Sequence, residues 1–224
     1  CMGMGGPSGR LPPLAAWSVV PDAAADLLVL DPEAGPPPAR RGAQVRLARL
    51  SLGLSGPSRP YHRMAAMLPT ASAGAAVGQP GLRMDPRSGG WRGVLLGEVV
   101  PRYAKAGWDG LYLTDLDVGP ALEAAGTHEG ATAAMAELVI DIRGLEPDLR
   151  LVAEGGLPFL EALGKALDGI AARDVFGPGD AAARRDALAA ARKATGLPVL
   201  VLERSAAAAA QAKAAGFVPA VGGL

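Results

Sequence analysis

Cysteine occurs once, at Cys1, and histidine twice, at His62 and His128, in a chain of 224 residues. A disulfide framework and a Cys/His zinc site are therefore excluded. Lysine is also scarce, at four positions, and 22 basic side chains face 22 acidic ones, so the formal net charge is zero. A nucleic-acid surface needs a basic stripe that this balance does not supply, and no nucleic-acid partner is expected. No apolar run approaches the roughly 20 residues of a membrane-spanning helix. Half of the residues are hydrophobic and a fifth charged, a globular balance. The length suits one α/β barrel or a large sandwich better than two domains.

Cys1 is followed by Met2-Gly3-Met4-Gly5-Gly6-Pro7-Ser8-Gly9, which has no hydrophobic periodicity and reads as a flexible tether. A lipid-bearing Cys1 accounts for both its position and its uniqueness, since acyl chains anchor a protein without a spanning helix. The expectation is a protein on the periplasmic or extracytoplasmic side, anchored by an N-terminal lipid, with a membrane-protein complex as a partner. The alternative is a chain end without that meaning.

Short apolar runs alternate with Ala-rich helical patterns from Asp26 onward. Eight runs read as strands, at 27–30, 45–50, 82–84, 110–113, 150–153, 168–171, 198–202 and 217–221. Helix-length segments lie at about 91–106, 132–145, 158–167, 180–195 and 205–215. Such alternation implies parallel strands with right-handed crossovers, and eight of them close into an α/β fold of the (β/α)8 TIM-barrel kind. The division expected is a tether over residues 1–16 and one barrel over 17–224. Gly107, Gly196 and Gly216 suit left-handed helix ends, Ser205 an N-cap, and Pro158 a first helical turn. Residues 71–80 lack periodicity and read as a loop over the barrel. An open doubly wound sheet is the competing fold, but Asp31-Pro32-Glu33 after the 27–30 run offers no glycine cradle for a dinucleotide.

Active sites of such barrels lie at the C-terminal strand ends. Those ends carry Asp31, Glu33, Ser51, Asp85, Thr114, Asp115, Asp117, Glu154, Arg173, Asp174, Glu203 and Arg204. A rim of carboxylates without histidine suits a carbohydrate, whose glycosidic bond is cut by a carboxylate pair. It also offers oxygen ligands to a hard cation, although the residues specify no metal and no cofactor. For any single carboxylate, capping of the following helix explains its place equally well. Trp91 and Trp108 are either sugar-stacking platforms or core residues.

Several segments, in order, resemble the endo-α-1,4-polygalactosaminidase family of glycoside hydrolases and its related TIM-barrel lipoproteins. They are Asp26-Leu27-Leu28-Val29-Leu30-Asp31, Ala48-Arg49-Leu50-Ser51-Leu52-Gly53, Arg59-Pro60-Tyr61, and Met84-Asp85-Pro86-Arg87 followed by Trp91. Ala106-Gly107-Trp108-Asp109-Gly110-Leu111-Tyr112-Leu113 resembles the family's GxDGxxxD strand, and Glu154-Gly155-Gly156 stands where members carry Asn-x-Gly. Asp168-Gly169-Ile170 resembles the strand leading to a family Glu. The resemblance runs from Asp26 to the C-terminus and implies a polysaccharide ligand held by Asp31, Arg59, Tyr61, Asp85, Asp117 and Glu203.

The family's catalytic Asp falls at Thr114, and its catalytic Glu at or beside Arg173. Neither residue type supplies a carboxylate or, at neutral pH, a transferable proton. Asp115 and Asp174 lie one residue further on, where strand alternation turns them away from the interior unless the loop bulges. Glu154 stands where the family has an amide, within reach of an ion pair with Arg173. Two readings follow: a barrel with a degenerate catalytic site serving as a carbohydrate-binding or structural subunit, or an active endo-glycosidase using Asp115, Glu154 and Asp174 as relocated carboxylates.

Overall fold

Leu27-Leu28-Val29-Leu30 has no polar position, as a strand covered on both faces requires, and all four residues are buried. In the computed structural model, which describes residues 10–21, 23–163, 165–177 and 181–223, this run is β2 (Leu27–Leu30). It lies parallel between β1 (Trp17–Ser18) and β3 (Val45–Ser51). Cys1 and its glycine-rich tether lie outside the described residues.

After β3 the chain makes an excursion at the strands' C-terminal end. Here β4 (Leu54–Ser55), β5 (Ser72–Ala75) and β6 (Leu82–Met84) form a small antiparallel sheet in the order β4-β6-β5, with α1 (His62–Met67) between β4 and β5. A continuous helix follows: α2 (Gly89–Val94), a π-helical stretch Leu95–Val99, and α3 (Val100–Lys105). The chain then returns to the main sheet with β7 (Gly110–Thr114), α4 (Val118–Ala124), α5 (Ala131–Leu145) and β8 (Arg150–Glu154). A 3-10 turn and α6 (Leu160–Leu163) lead to β9 (Gly169–Arg173), then α7 (Ala182–Thr195), β10 (Val199–Glu203), α8 (Ala206–Ala214) and β11 (Val218–Val221).

Among the described residues, eight strands form one parallel sheet in the order β1-β2-β3-β7-β8-β9-β10-β11. The seam between β11 and β1 is bridged by the Trp17 indole N–H, which donates to Val218 O at 2.9 Å. The result is a nearly closed (β/α)8 barrel rather than an open sheet. Two expectations need correction. Residues 82–84 are not a barrel strand: they pair antiparallel with β4 and β5 in the small sheet and with no strand of the barrel. The eighth barrel strand is β1, whose two residues carry no apolar run. Residues 71–80 accordingly hold β5 and are not wholly loop.

Strand alternation sorts the core into two layers. Leu27, Val29, Val45, Leu47, Tyr112, Val152, Ala171, Leu200 and Leu202 fill the barrel interior. Leu28, Ala48, Leu50 and Leu111 face outward onto Trp91, Val99, Tyr103, Leu138 and Ile142 of the helical shell. Leu11 and Leu14, assigned to the tether from sequence, pack against the interior cluster. The N–H groups of Ala15 and Ala16 bind Asp26 Oδ2. The helix punctuation follows the sequence: Gly107, Gly196 and Gly216 have φ of 88°, 70° and 80°, and Ser205 Oγ accepts the Ala208 N–H at 3.2 Å. Among the described residues no helix is long and apolar enough to cross a membrane.

Candidate functional site

The residues that continue the interior face beyond its apolar layers are Arg49 and Ser51 on β3, Thr114 on β7, Glu154 on β8 and Arg173 on β9, with Asp31 just past β2. Charges resting on an apolar plug lose water from one side and must pair. They do so in two groups. In the first, Asp31 Oδ1 accepts from Arg59 Nη1 at 2.5 Å and from the Glu33 N–H at 3.0 Å, while Arg49 Nη2 lies 3.5 Å from Asp31 Oδ2. Burial pushes the Asp31 carboxyl up, but the Arg59 hydrogen bond and charge outweigh it and hold the pKa below the ordinary range. In the second, Glu154 Oε1 accepts from Arg173 Nε at 2.7 Å and Nη2 at 2.6 Å, and Glu154 Oε2 accepts from the Tyr112 hydroxyl at 2.7 Å. Burial and the Glu154 charge keep the Tyr112 phenol protonated. Burial works against the Arg173 charge, but Glu154 more than restores it, so the guanidinium titrates above its usual value.

Over these groups lies a cleft of about 530 Å³ lined by Arg49, Ser51, Arg59, Thr114, Asp115 and Arg173, with Leu54, residues 56–58, Gln79 and Pro80 of the β4–β6 excursion as its wall. A second hollow of about 420 Å³, lined by Asp115, Asp117, Glu154, Arg173, Asp174 and Arg184, continues from it. Asp115 and Arg173 line both, so the two are halves of one barrel mouth.

The structure brings Asp115, Glu154 and Asp174 together there. Asp115 and Asp174 have φ of 62° and 53°, left-handed values that non-glycine residues seldom adopt. This break in the extended backbone keeps both side chains in the mouth, against the outward turn expected from alternation. The Thr114 hydroxyl donates to Asp115 Oδ2 at 2.8 Å, and Arg204 Nε donates to Asp174 Oδ1 at 2.9 Å. Asp117 lines the smaller hollow while its Oδ1 accepts the Gly156 N–H at 2.9 Å. Arg59 lines the larger one.

The remaining candidates are placed elsewhere. Asp85 is clamped by Arg87, whose Nε and Nη2 donate at 3.0 and 2.7 Å. Glu203 faces the helical layer, fully buried, with Oε1 accepting the N–H groups of Val175 and Phe176. Tyr61 is buried against Trp91, ring centroids 6.0 Å apart, and burial pushes its phenol up to about 12. Trp91 is fully buried with its indole N–H on Leu52 O at 2.8 Å, and Trp108 is buried too, so neither offers a sugar-stacking face. His62 contacts Ser55 Oγ at 3.0 Å, and His128 contacts Thr127 Oγ1 at 2.6 Å. Arg49 was missed from the sequence. Its signal was parity: it shares the face of Val45 and Leu47, which places it inside the barrel.

Glycoside cleavage needs one carboxyl to protonate the leaving oxygen and a second to attack or activate water. At this mouth Glu154 has both oxygens engaged, and Arg173 stays charged beside it. Among the described residues, no group of three or more His, Cys, Asp and Glu side chains is placed to hold a metal ion.

The fold and mouth together define a (β/α)8 barrel whose candidate site lies at the C-terminal ends of its strands. Among solved structures, the glycoside hydrolase domain of PelA from Pseudomonas aeruginosa superposes with a TM-score of 0.77 at 22% identity, over 93% of this chain and 94% of that one. Aspergillus fumigatus Ega3, in complex with galactosamine, gives a TM-score of 0.77 at 14% identity, over 98% and 95%. No family model and no curated protein sequence matches the chain. The resemblance drawn from short motifs thus extends to the whole fold.

Proposed function

We propose that this chain is a glycan-binding barrel that does not hydrolyse its ligand. The observation that carries the reading is the closed ion pair of Glu154 with Arg173, capped by the Tyr112 hydroxyl. A carboxylate so engaged is withheld from acid–base work, which is worth on the order of 10²–10⁴-fold in rate. The Arg173 charge also opposes a developing oxocarbenium-like cation. The mouth keeps the size and polar lining of a ligand site. The likeness to a glycoside hydrolase domain and to a galactosamine complex favours a sugar as the ligand.

The competing reading is an active endo-glycosidase, and it draws on Asp115 and Asp174, both turned into the mouth. Incubation with a partially deacetylated galactosamine polymer, with products weighed by mass spectrometry, separates the two. No oligosaccharide release is expected from the native chain. Release that is lost in Asp115→Asn or Asp174→Asn would refute the non-hydrolysing reading.

A further inference from the structure

Glu203 is the last residue of β10, and its side chain is fully buried. Leu200 and Leu202 fill the barrel interior, so alternation points Glu203 outward, behind the neighbouring end of β9. Its Oε1 accepts two successive amides, from Val175 at 2.9 Å and Phe176 at 3.0 Å. Its Oε2 is buried without a hydrogen-bond partner among the described residues. A carboxylate with one oxygen bare is a costly group to bury, and that cost calls for a role beyond filling space.

The two amides directly follow Asp174, whose φ of 53° is one that a non-glycine residue holds only where its surroundings impose it. The contacts from β10 are unequal in this. Leu202 O accepts the Asp174 N–H at 3.0 Å, which continues the β9–β10 ladder without setting a turn. Arg204 Nε reaches Asp174 Oδ1, but that pair stands largely in solvent and is weak. Arg184 and Arg185 of α7 bind the carbonyls of Arg173 and Val175, leaving the amides beyond Asp174 to Glu203.

We propose that Glu203 is a positioning residue of the glycan site. It does not line the mouth, yet its grip on the Val175 and Phe176 amides sets the turn that lays the Asp174 carboxylate in the smaller hollow. Without that grip the extended alternation of β9 continues and turns Asp174 away. The role rests on the glycan-binding reading, with Asp174 accepting from a hydroxyl or ammonium group of the sugar.

NMR of the free chain and isothermal titration with a galactosamine oligomer test it together. A positive φ brings a residue's own N–H and Hα close, so Asp174 should show a strong intraresidue NOE between them. That NOE should weaken in Glu203→Met, which fills the space without an acceptor, and persist in Glu203→Gln, which keeps one. Glu203→Met should bind the oligomer about tenfold more weakly, the loss of one charge-assisted hydrogen bond, and Glu203→Gln as tightly as the native chain. Asp174→Ala should cost the same, and adding Glu203→Met to it should cost nothing more. Should Glu203→Met fail to fold, hydrogen exchange on the native chain makes the test: Val175 and Phe176 amides that exchange as fast as exposed loop amides overturn the grip. An unchanged NOE in Glu203→Met, or an affinity loss that adds to that of Asp174→Ala, overturns the positioning role and leaves glycan binding standing. A native chain that binds no oligomer overturns both.

Discussion

Replacing Arg173 by Leu removes the cation from Glu154 and leaves a buried carboxylate with only the Tyr112 hydroxyl. Deleting one partner of a fully buried pair costs about 3–5 kcal/mol. Arg173 is 43% exposed along its side chain, whereas Glu154 is 10% exposed. Water can reach the vacated space and recover part of that penalty, so the expected loss is about 2–3 kcal/mol. At 2–4 °C per kcal/mol for a chain of this size, Tm falls by about 4–12 °C. The Arg173→Leu, Glu154→Leu double variant should lose less than the sum of the two single variants, because neither leaves a charge behind in it. Urea denaturation of all four proteins at neutral pH gives the coupling energy. A coupling within error of zero, or an Arg173→Leu variant as stable as the native chain, would refute the ion lock on which the non-hydrolysing reading depends.

Trp17→Ala should cost about 3–5 kcal/mol, as for other buried Trp truncations, and free the seam. Hydrogen exchange in β11 should then rise more than in β7, and equal exchange would argue against a latch. The Asp31 carboxyl titrates below its ordinary value of 3.8. Its contribution is therefore complete above about pH 5 and lost as acid carries the pH below 3.8 and through the lowered folded value. The stability gap between the native chain and Asp31→Asn should be flat from neutral pH to about pH 5 and close only in stronger acid. A gap that closes between pH 5 and 7 would contradict this.

Much of the barrel is legible in the sequence because a strand buried on both faces is a short uninterrupted apolar run, as in β2 and β10. Residues 82–84, Leu-Arg-Met, carry Arg83 between two apolar residues, as a strand with one polar face does, and the sequence does not say that their partners are β4 and β5 rather than barrel strands. Trp17–Ser18 is invisible for the opposite reason, since its strand character comes from Leu27 and Leu28 pairing beside it. At the site, the positions of Thr114, Glu154 and Arg173 follow from alternation alone. The inward stance of Asp115 and Asp174 does not, because it depends on two positive φ values that the loops impose. Glu203 misleads for a related reason: a strand-end carboxylate is as readily an internal acceptor for neighbouring amides as a site residue.

The latch between β1 and β11 also bears on self-association. A barrel whose last strand meets its first through a side chain still owns two strand edges, and bare edges invite other chains to add on. Here β1 is two residues long, too short to template a partner. On β11, Gly222 donates to Glu203 O of β10 at 3.0 Å, and two-residue alternation then turns position 219 toward the seam. That position is proline, which has no N–H to offer an incoming strand. The open edge of the barrel is thus poorly suited to recruiting a neighbouring strand.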